Sequence, residues 1–320
     1  MLTESSGNDF TVHYPEAQEY ARKQLSVFWP HWEVDVSKDV QDLRVNLTES
    51  EKHGVLTTLK LFTKYEQHVG EDYWLGKVMQ WFPRHEVQEM ASVFGMFELG
   101  IHKRFYKRLN EELGLDTLEF YNSYVSDADL RSRMEFIDSI LSGDNKLLSL
   151  AVFSMIEGVV LYSSFAFLKH FQAKGKNKIK NVCAGIDFSV RDENLHSEAG
   201  AWLYRVHKKE RNSMGAYDIS VASYVREAAH QIYEHEKIII HKLFEKGPIE
   251  GITETQLIHF VEHRINVCLK NLELEPMFEV TYNPIKDWFY TNINSFKSAD
   301  FFNKQGASYN RNWKEGAFVW

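Results

Sequence analysis

Residues 147–168 read LLSLAVFSMIEGVVLYSSFAFL, an apolar run of 22 residues between two lysines that carries a single charge, Glu157, near its middle. The run is long enough to cross a bilayer. Its central glutamate, its four serines and the lack of a second such segment point instead to a helix buried inside protein. A lone carboxylate in apolar surroundings is costly unless something pairs with it. What pairs with Glu157 therefore decides how the rest of the chain is read.

The 320-residue chain is 44% hydrophobic and 26% charged, the balance of a soluble protein with a substantial core. Six prolines is a low count for this length, and the long apolar-periodic stretches favour a mostly helical protein. A net charge of −8 gives no reason to expect a nucleic-acid partner, which needs a basic face. The local run KGKNKIK (174–180) reads as a solvated helix end. Cys183 and Cys268 form neither a CxxC pair nor a disulfide framework, so a reducing, cytoplasmic setting is expected. The opening MLTESSGNDF lacks the basic start and apolar core of a signal peptide.

Period and punctuation predict several long helices. One opens on the capping box Thr48-x-x-Glu51 and runs towards Pro83. A second spans about 84–113 and stops at Gly114. A shorter one covers about 127–141, followed by the apolar run. Three more are predicted near 178–208, 217–246 and 253–273, the last opening on Thr253-x-x-Gln256. No repeat or linker divides them, so one helical domain is expected over 1–305. The stretch GASYNRNWKEGAFVW (306–320) has no helical period and reads as a tail.

Four of these helices carry acids on the stripe that should be apolar. Glu66 falls among Leu59, Phe62, Val69 and Tyr73, and Glu98 lies with Phe94, Ile101 and Phe105, with His102 beside it. Tyr106 follows His102 by one further turn. Glu157 is buried whichever way its helix faces, and Ile186 and Val190 lead to Glu193 and His196, three apart on one face. A single buried histidine is usually a hydrogen-bonded core residue. Four glutamates and two histidines turned inward together would repel one another, and a cationic centre reverses that cost. The set matches the dimetal bundle pattern of two single glutamates plus two Glu-x-x-His pairs, with carboxylate and imidazole donors suited to iron or manganese. Glu98 and His102 depart from it, being four apart, and a local π-bulge could re-aim Glu98.

With these residues placed, the chain resembles the small, radical-generating beta subunit of class I ribonucleotide reductase. The likeness runs through KQLSVFWPHWEVDVSKD (23–39), IHKRFY (101–106), MIEGVVLYSSFAF (155–167), RDENLH (191–196), NPIKDWF (283–289) and DFFNKQGASY (300–309). It implies an all-α, ferritin-like helical bundle with a dimetal-carboxylate site in the core four helices. Glu66, Glu98, His102, Glu157, Glu193 and His196 are its implied metal ligands. Tyr106 stands where the family carries its stable tyrosyl radical. Trp29 and Asp192 match the pair that, with His102, connects the site towards the surface, and Tyr309 matches the mobile tail tyrosine. Leu161 and Phe165 resemble the apolar pocket around the radical, whereas Ser189 stands where an aliphatic residue is common.

The resemblance implies a ribonucleoside-diphosphate reductase small subunit, active only with the large (alpha) subunit, into which the C-terminal tail docks. Its cofactor is expected to be two iron ions, a di-iron-oxo centre, with manganese–iron and di-manganese pairs left open. Dioxygen is reduced at the metals and Tyr106 is oxidised. The oxidising equivalent then passes by Trp29 and Tyr309 to a cysteine of the large subunit, where the ribonucleotide 2′-hydroxyl is replaced by hydrogen. A homodimer is implied, with no membrane and no nucleic-acid partner. The alternatives are a ferritin-like dimetal oxidase or desaturase without radical export, and an iron-storage bundle.

Overall fold

The computed structural model describes residues 1–290, which form helices joined by short turns with no β-strand among them. The expected tail at 306–320, with Tyr309, lies outside the described residues. The architecture is the all-α, ferritin-like bundle that the sequence implied.

The helices are α1 (Pro15–Ser26), α2 (Glu49–Gln67), α3 (Met79–Trp81), α4 (His85–Phe97), α5 (Lys103–Leu113), α6 (Leu118–Ser126), α7 (Ala128–Ser142), α8 (Lys146–Met155), α9 (Tyr162–Lys169), α10 (Lys180–Ser213), α11 (Val221–Leu243) and α12 (Glu254–Asn271). Both predicted capping boxes form, Thr48 with Glu51 and Thr253 with Gln256. Gly114 ends α5 in the left-handed conformation, φ 72°, as a glycine stop should. Sequence periodicity did not reveal α1, although Pro15 at its first turn was a legible start signal. The short α6 was missed as well.

Three predicted helices are not regular throughout. The first passes from α2 into a π-helical stretch, His68–Val78, before α3. The second changes from α4 to α5 through the π-helical turn Glu98–His102. The apolar run is broken between α8 and α9 by another, Ile156–Val160. A π turn accommodates an extra residue and changes where its side chains aim, and such turns concentrate at functional sites. Two of these turns contain glutamates of the inward-facing set.

α10 is the longest element, at 34 residues. Its start is tied to a distant segment: the backbone N–H of Ile179 donates to Asp42 Oδ2 at 2.8 Å and that of Val182 to Asp39 Oδ2 at 2.7 Å. These carboxylates satisfy amides that a helix N-terminus leaves unpaired. α10 packs along α8 and α9, α2 packs along α5, and α1 lies on α4. Gly185 allows α10 to approach α5, since a Cβ there would lie 2.2 Å from the Phe105 ring. The apolar segment Lys146–Lys169 is buried by neighbouring helices from Ser149 onward, which is where the sequence reading put it.

Candidate metal centre

The six inward-facing residues meet in the middle of the bundle. Glu66 comes from α2, Glu98 and His102 from the π turn before α5, Glu157 from the π turn after α8, and Glu193 and His196 from α10. All six are 4% exposed or less. Their donor atoms form two overlapping groups: Glu66, Glu98, His102 and Glu193, and Glu98, Glu157, Glu193 and His196. Within each group the atoms lie within 4.8 Å of one another. Glu98 and Glu193 belong to both, as carboxylates bridging two cations would.

The four-residue spacing of Glu98 and His102 is accommodated by the π turn that contains both, so despite the departure from Glu-x-x-His both side chains reach the cluster. His102 Nδ1 lies 3.1 Å from Glu98 Oε2, 3.1 Å from Glu193 Oε1 and 3.8 Å from Glu66 Oε2. His196 Nδ1 lies 2.5 Å from Glu98 Oε1, too poorly aligned for a hydrogen bond, and 3.9 Å from both Glu157 and Glu193. Glu66 Oε1, Glu98 Oε1, Glu193 Oε1 and His196 Nδ1 are buried without a hydrogen-bond partner. Buried polar atoms are rarely left so. Polar atoms that converge without hydrogen-bond partners suit a cation, and this set of oxygens and imidazole nitrogens fits hard or borderline divalent ions.

Electrostatics lead the same way. Burial, reinforced by the charge of Glu98, holds Glu66 well above the usual carboxylate range. Glu157 is raised by burial and by Glu193 and Glu98. Glu193 is pushed up to about 8 by burial and by Glu98 and Glu66. For Glu98 burial acts upward, yet His102 and His196 outweigh it and hold the group low. Burial acts downward on His102, but Glu98, Asp192, Glu193 and Glu66 together drive it well above its ordinary value. With no cation between them, Glu66, Glu157 and Glu193 hold their protons more tightly than ordinary carboxylates do, whereas Glu98 gives its proton up more readily.

Behind the donors, each imidazole is anchored on its far side. His102 Nε2 lies 3.2 Å from Asp192 Oδ2, the atom that also accepts the Trp29 Nε1–H at 2.7 Å. Trp29 itself stacks over His102, with ring centroids 5.9 Å apart. His196 Nε2 lies 3.1 Å from Gln24 Oε1, brought in by α1. The Trp74 indole donates to Glu157 Oε1 at 2.7 Å. Gln24 and Trp74 were missed by sequence reasoning: neither breaks an apolar stripe in a way that marks a ligand.

Tyr106 is fully buried on α5, and its hydroxyl has no hydrogen-bond partner. Burial, then the charge of Glu66, holds the phenol well above its ordinary value. Phe62 packs on its ring at 4.5 Å, and Phe165 stacks on Phe62 at 5.4 Å. Phe165 thus reaches the phenol through Phe62. Ser189 is also buried with an unpartnered hydroxyl, close enough to the phenol to oppose the upward shift.

The family model for the ribonucleotide reductase small chain matches residues 7–284. The chain belongs to that family. A probable ribonucleoside-diphosphate reductase small subunit, 048L, of Invertebrate iridescent virus 3 is 25% identical over 91% of this chain and 81% of its own length. The ribonucleoside-diphosphate reductase 1 subunit beta of Escherichia coli O157:H7 is 25% identical over 87% of this chain and 81% of that protein. Among solved structures, a putative class I ribonucleotide reductase from Bacillus halodurans aligns with TM-score 0.77 at 20% identity, covering 88% of this chain and all of that one. The dimanganese(II)-NrdF of Streptococcus sanguinis aligns with TM-score 0.76 at 19% identity, covering 87% and 96%. These likenesses support the bundle; the buried cluster supports a dimetal site within this ribonucleotide reductase small chain.

Proposed function

We propose that this small chain generates and holds an oxidising equivalent on Tyr106 and exports it to a large subunit for ribonucleotide reduction. The observation that carries the reading is the pair of overlapping donor groups sharing Glu98 and Glu193, with Tyr106 one turn beyond His102. Glu66, Glu98 and His102 would hold one iron ion, and Glu157 and His196 the other, with Glu98 and Glu193 common to both. When bound, the metal pair supplies the electrons that reduce dioxygen and, in doing so, the oxidising power that Tyr106 receives.

The chain's own residues then act on electrons and protons. A phenol that loses an electron also sheds its hydroxyl proton, and Glu66 is the neighbour whose charge bears most on Tyr106. Phe62, Phe105 and Phe165 keep water and reductants from the ring. Asp192 accepts hydrogen bonds from His102 and Trp29 at one oxygen, fixing the imidazole so that Nδ1 faces Glu98 and Glu193, where it would be free to hold a metal ion. Trp29 is the first stop outward. Tyr309, in the tail outside the described residues, is the next, and the tail docks on the large subunit. The functional unit is a homodimer.

The test loads metal-free protein with Fe(II), admits oxygen and records the EPR spectrum of wild type and Tyr106→Phe. A tyrosyl signal in wild type and none in the variant is expected. No signal from metal-replete wild type, or one that persists in the variant, overturns the radical assignment. Nucleotide reduction should appear only after a large subunit is added; oxidase turnover by the chain alone would favour a self-contained dimetal oxidase. Elemental analysis of protein from its native host separates iron from manganese.

A further inference from the structure

The π turn Ile156–Val160, which carries Glu157, is held by two arginines from other helices. Arg264 of α12 donates from Nε to the Gly158 carbonyl at 2.8 Å, and Arg133 of α7 donates from Nη2 to the Val160 carbonyl at 2.6 Å. Each arginine is 2% exposed. A π turn disturbs the regular ladder, and buried carbonyls that it releases need donors. The turn also has little freedom to move: a Cβ at Gly158 would lie 2.4 Å from Cys268 Sγ and 2.5 Å from Ser197 Oγ.

A buried guanidinium is expensive, and apolar residues of similar volume often do as well for stability alone. Arg133 has Glu236 3.3 Å away. Arg264 meets the Tyr290 hydroxyl at 3.0 Å, Asn194 Oδ1 at 3.5 Å and the Tyr162 ring centroid at 3.9 Å, with no carboxylate in an ion pair among the described residues. A cation kept in such a place by neutral groups and one backbone carbonyl points to a need at that carbonyl.

We propose that Arg133 and Arg264 are positioning residues that clamp this turn and so aim Glu157 at the cation position it shares with Glu98, Glu193 and His196. The inference rests on the dimetal reading above, and its test separates the two. Full-length protein is titrated with Mn(II), and amide hydrogen exchange of residues 156–161 is followed on metal-free protein. In Arg133→Met and Arg264→Met, exchange across 156–161 accelerates. Affinity for one of the two ions falls about 10–100-fold, the range over which groups behind metal ligands act, while the other ion binds as in wild type. Lys169→Met is the control. That lysine is equally buried and pairs with Asp187 and the Phe289 carbonyl, and its loss should change neither reading.

Wild-type Mn(II) binding in both arginine variants, or an equal loss in Lys169→Met, overturns the proposal. A wild type that binds no Mn(II) overturns the dimetal reading instead. Exchange alone then decides the clamp, and unaltered protection of 156–161 refutes it. If a methionine variant does not fold, Arg133→Lys and Arg264→Lys, which keep the charge but shorten its reach, are judged by the same two readings.

Discussion

The two imidazoles of the centre look alike from inside and differ behind. His102 and His196 both turn Nδ1 to the carboxylates, and both are fully buried. Behind His102 stands Asp192, a carboxylate that also holds Trp29. Behind His196 stands Gln24, a neutral amide. A carboxylate can stabilise positive charge arriving on the ring and pass a proton or electron demand on to an indole. An amide can only fix the ring's orientation. On the proposed function, the contrast would leave the centre one side able to conduct and one insulating side, the former nearer Tyr106 in sequence.

The largest effect tests whether both imidazoles serve one centre. Glu157 belongs only to the group of His196, so Glu157→Ala leaves the His102 group with all four donors. The variant is expected to lose at least one metal ion and the Tyr106 radical while far-UV circular dichroism stays helical. Full metal occupancy in that variant would take Glu157 out of the metal site and leave its burial unexplained.

Next in size is the difference between the two supports. Asp192→Asn keeps an oxygen to accept from Trp29 but removes the charge behind His102. Turnover with the large subunit should fall about 100-fold with metal retained. Gln24→Leu should weaken metal binding about tenfold, and turnover at saturating metal should match wild type; these lie at the two ends of what such supports contribute. Equal effects on turnover from the two variants would erase the proposed asymmetry. Metal titration and steady-state assays on the same preparations supply both readings.

What could be read in the sequence follows the physics of the signal. A carboxylate on an apolar stripe breaks a pattern, so Glu66, Glu98, Glu157, Glu193 and His196 were visible one by one, and the bundle followed from their number. Gln24 and Trp74 break nothing: one sits on a short polar helix, the other among aromatics, and only three-dimensional packing shows what they touch. The π turns were half legible. The spacing of Glu98 and His102 allowed for one, and it is there. Nothing in LLSLAVFSMIEGVV marks the turn at Ile156–Val160, and the arginines that donate to its carbonyls stand 27 and 106 residues away in the chain. Ser189 stood out only against the family's habit, and the structure brings its unpartnered hydroxyl to the neighbourhood of the Tyr106 phenol.

The smallest effect sharpens the comparison with a buried histidine outside the cluster, where burial and Lys176 outweigh the pull of Glu51. His170 is buried against Phe167 and Phe171, with Lys176 Nζ 3.3 Å from Nε2. Burial, helped by Lys176, lowers it to about 4, opposite in direction to His102. Its unfolded counterpart titrates near 6.5. Between these values the unfolded chain binds more protons, so the stability that this group contributes is complete above 6.5 and is lost as pH falls through about 4. The slope is at most about 1.4 kcal/mol per pH unit for one histidine. His170→Gln removes the titration while keeping polar atoms in place. The melting temperature of wild type should therefore drop more steeply than that of the variant as pH is lowered through this window, with metal content matched. Parallel curves would mean that His170 carries no proton linkage, and that burial alone does not set a histidine of this fold against its carboxylate-lined relatives.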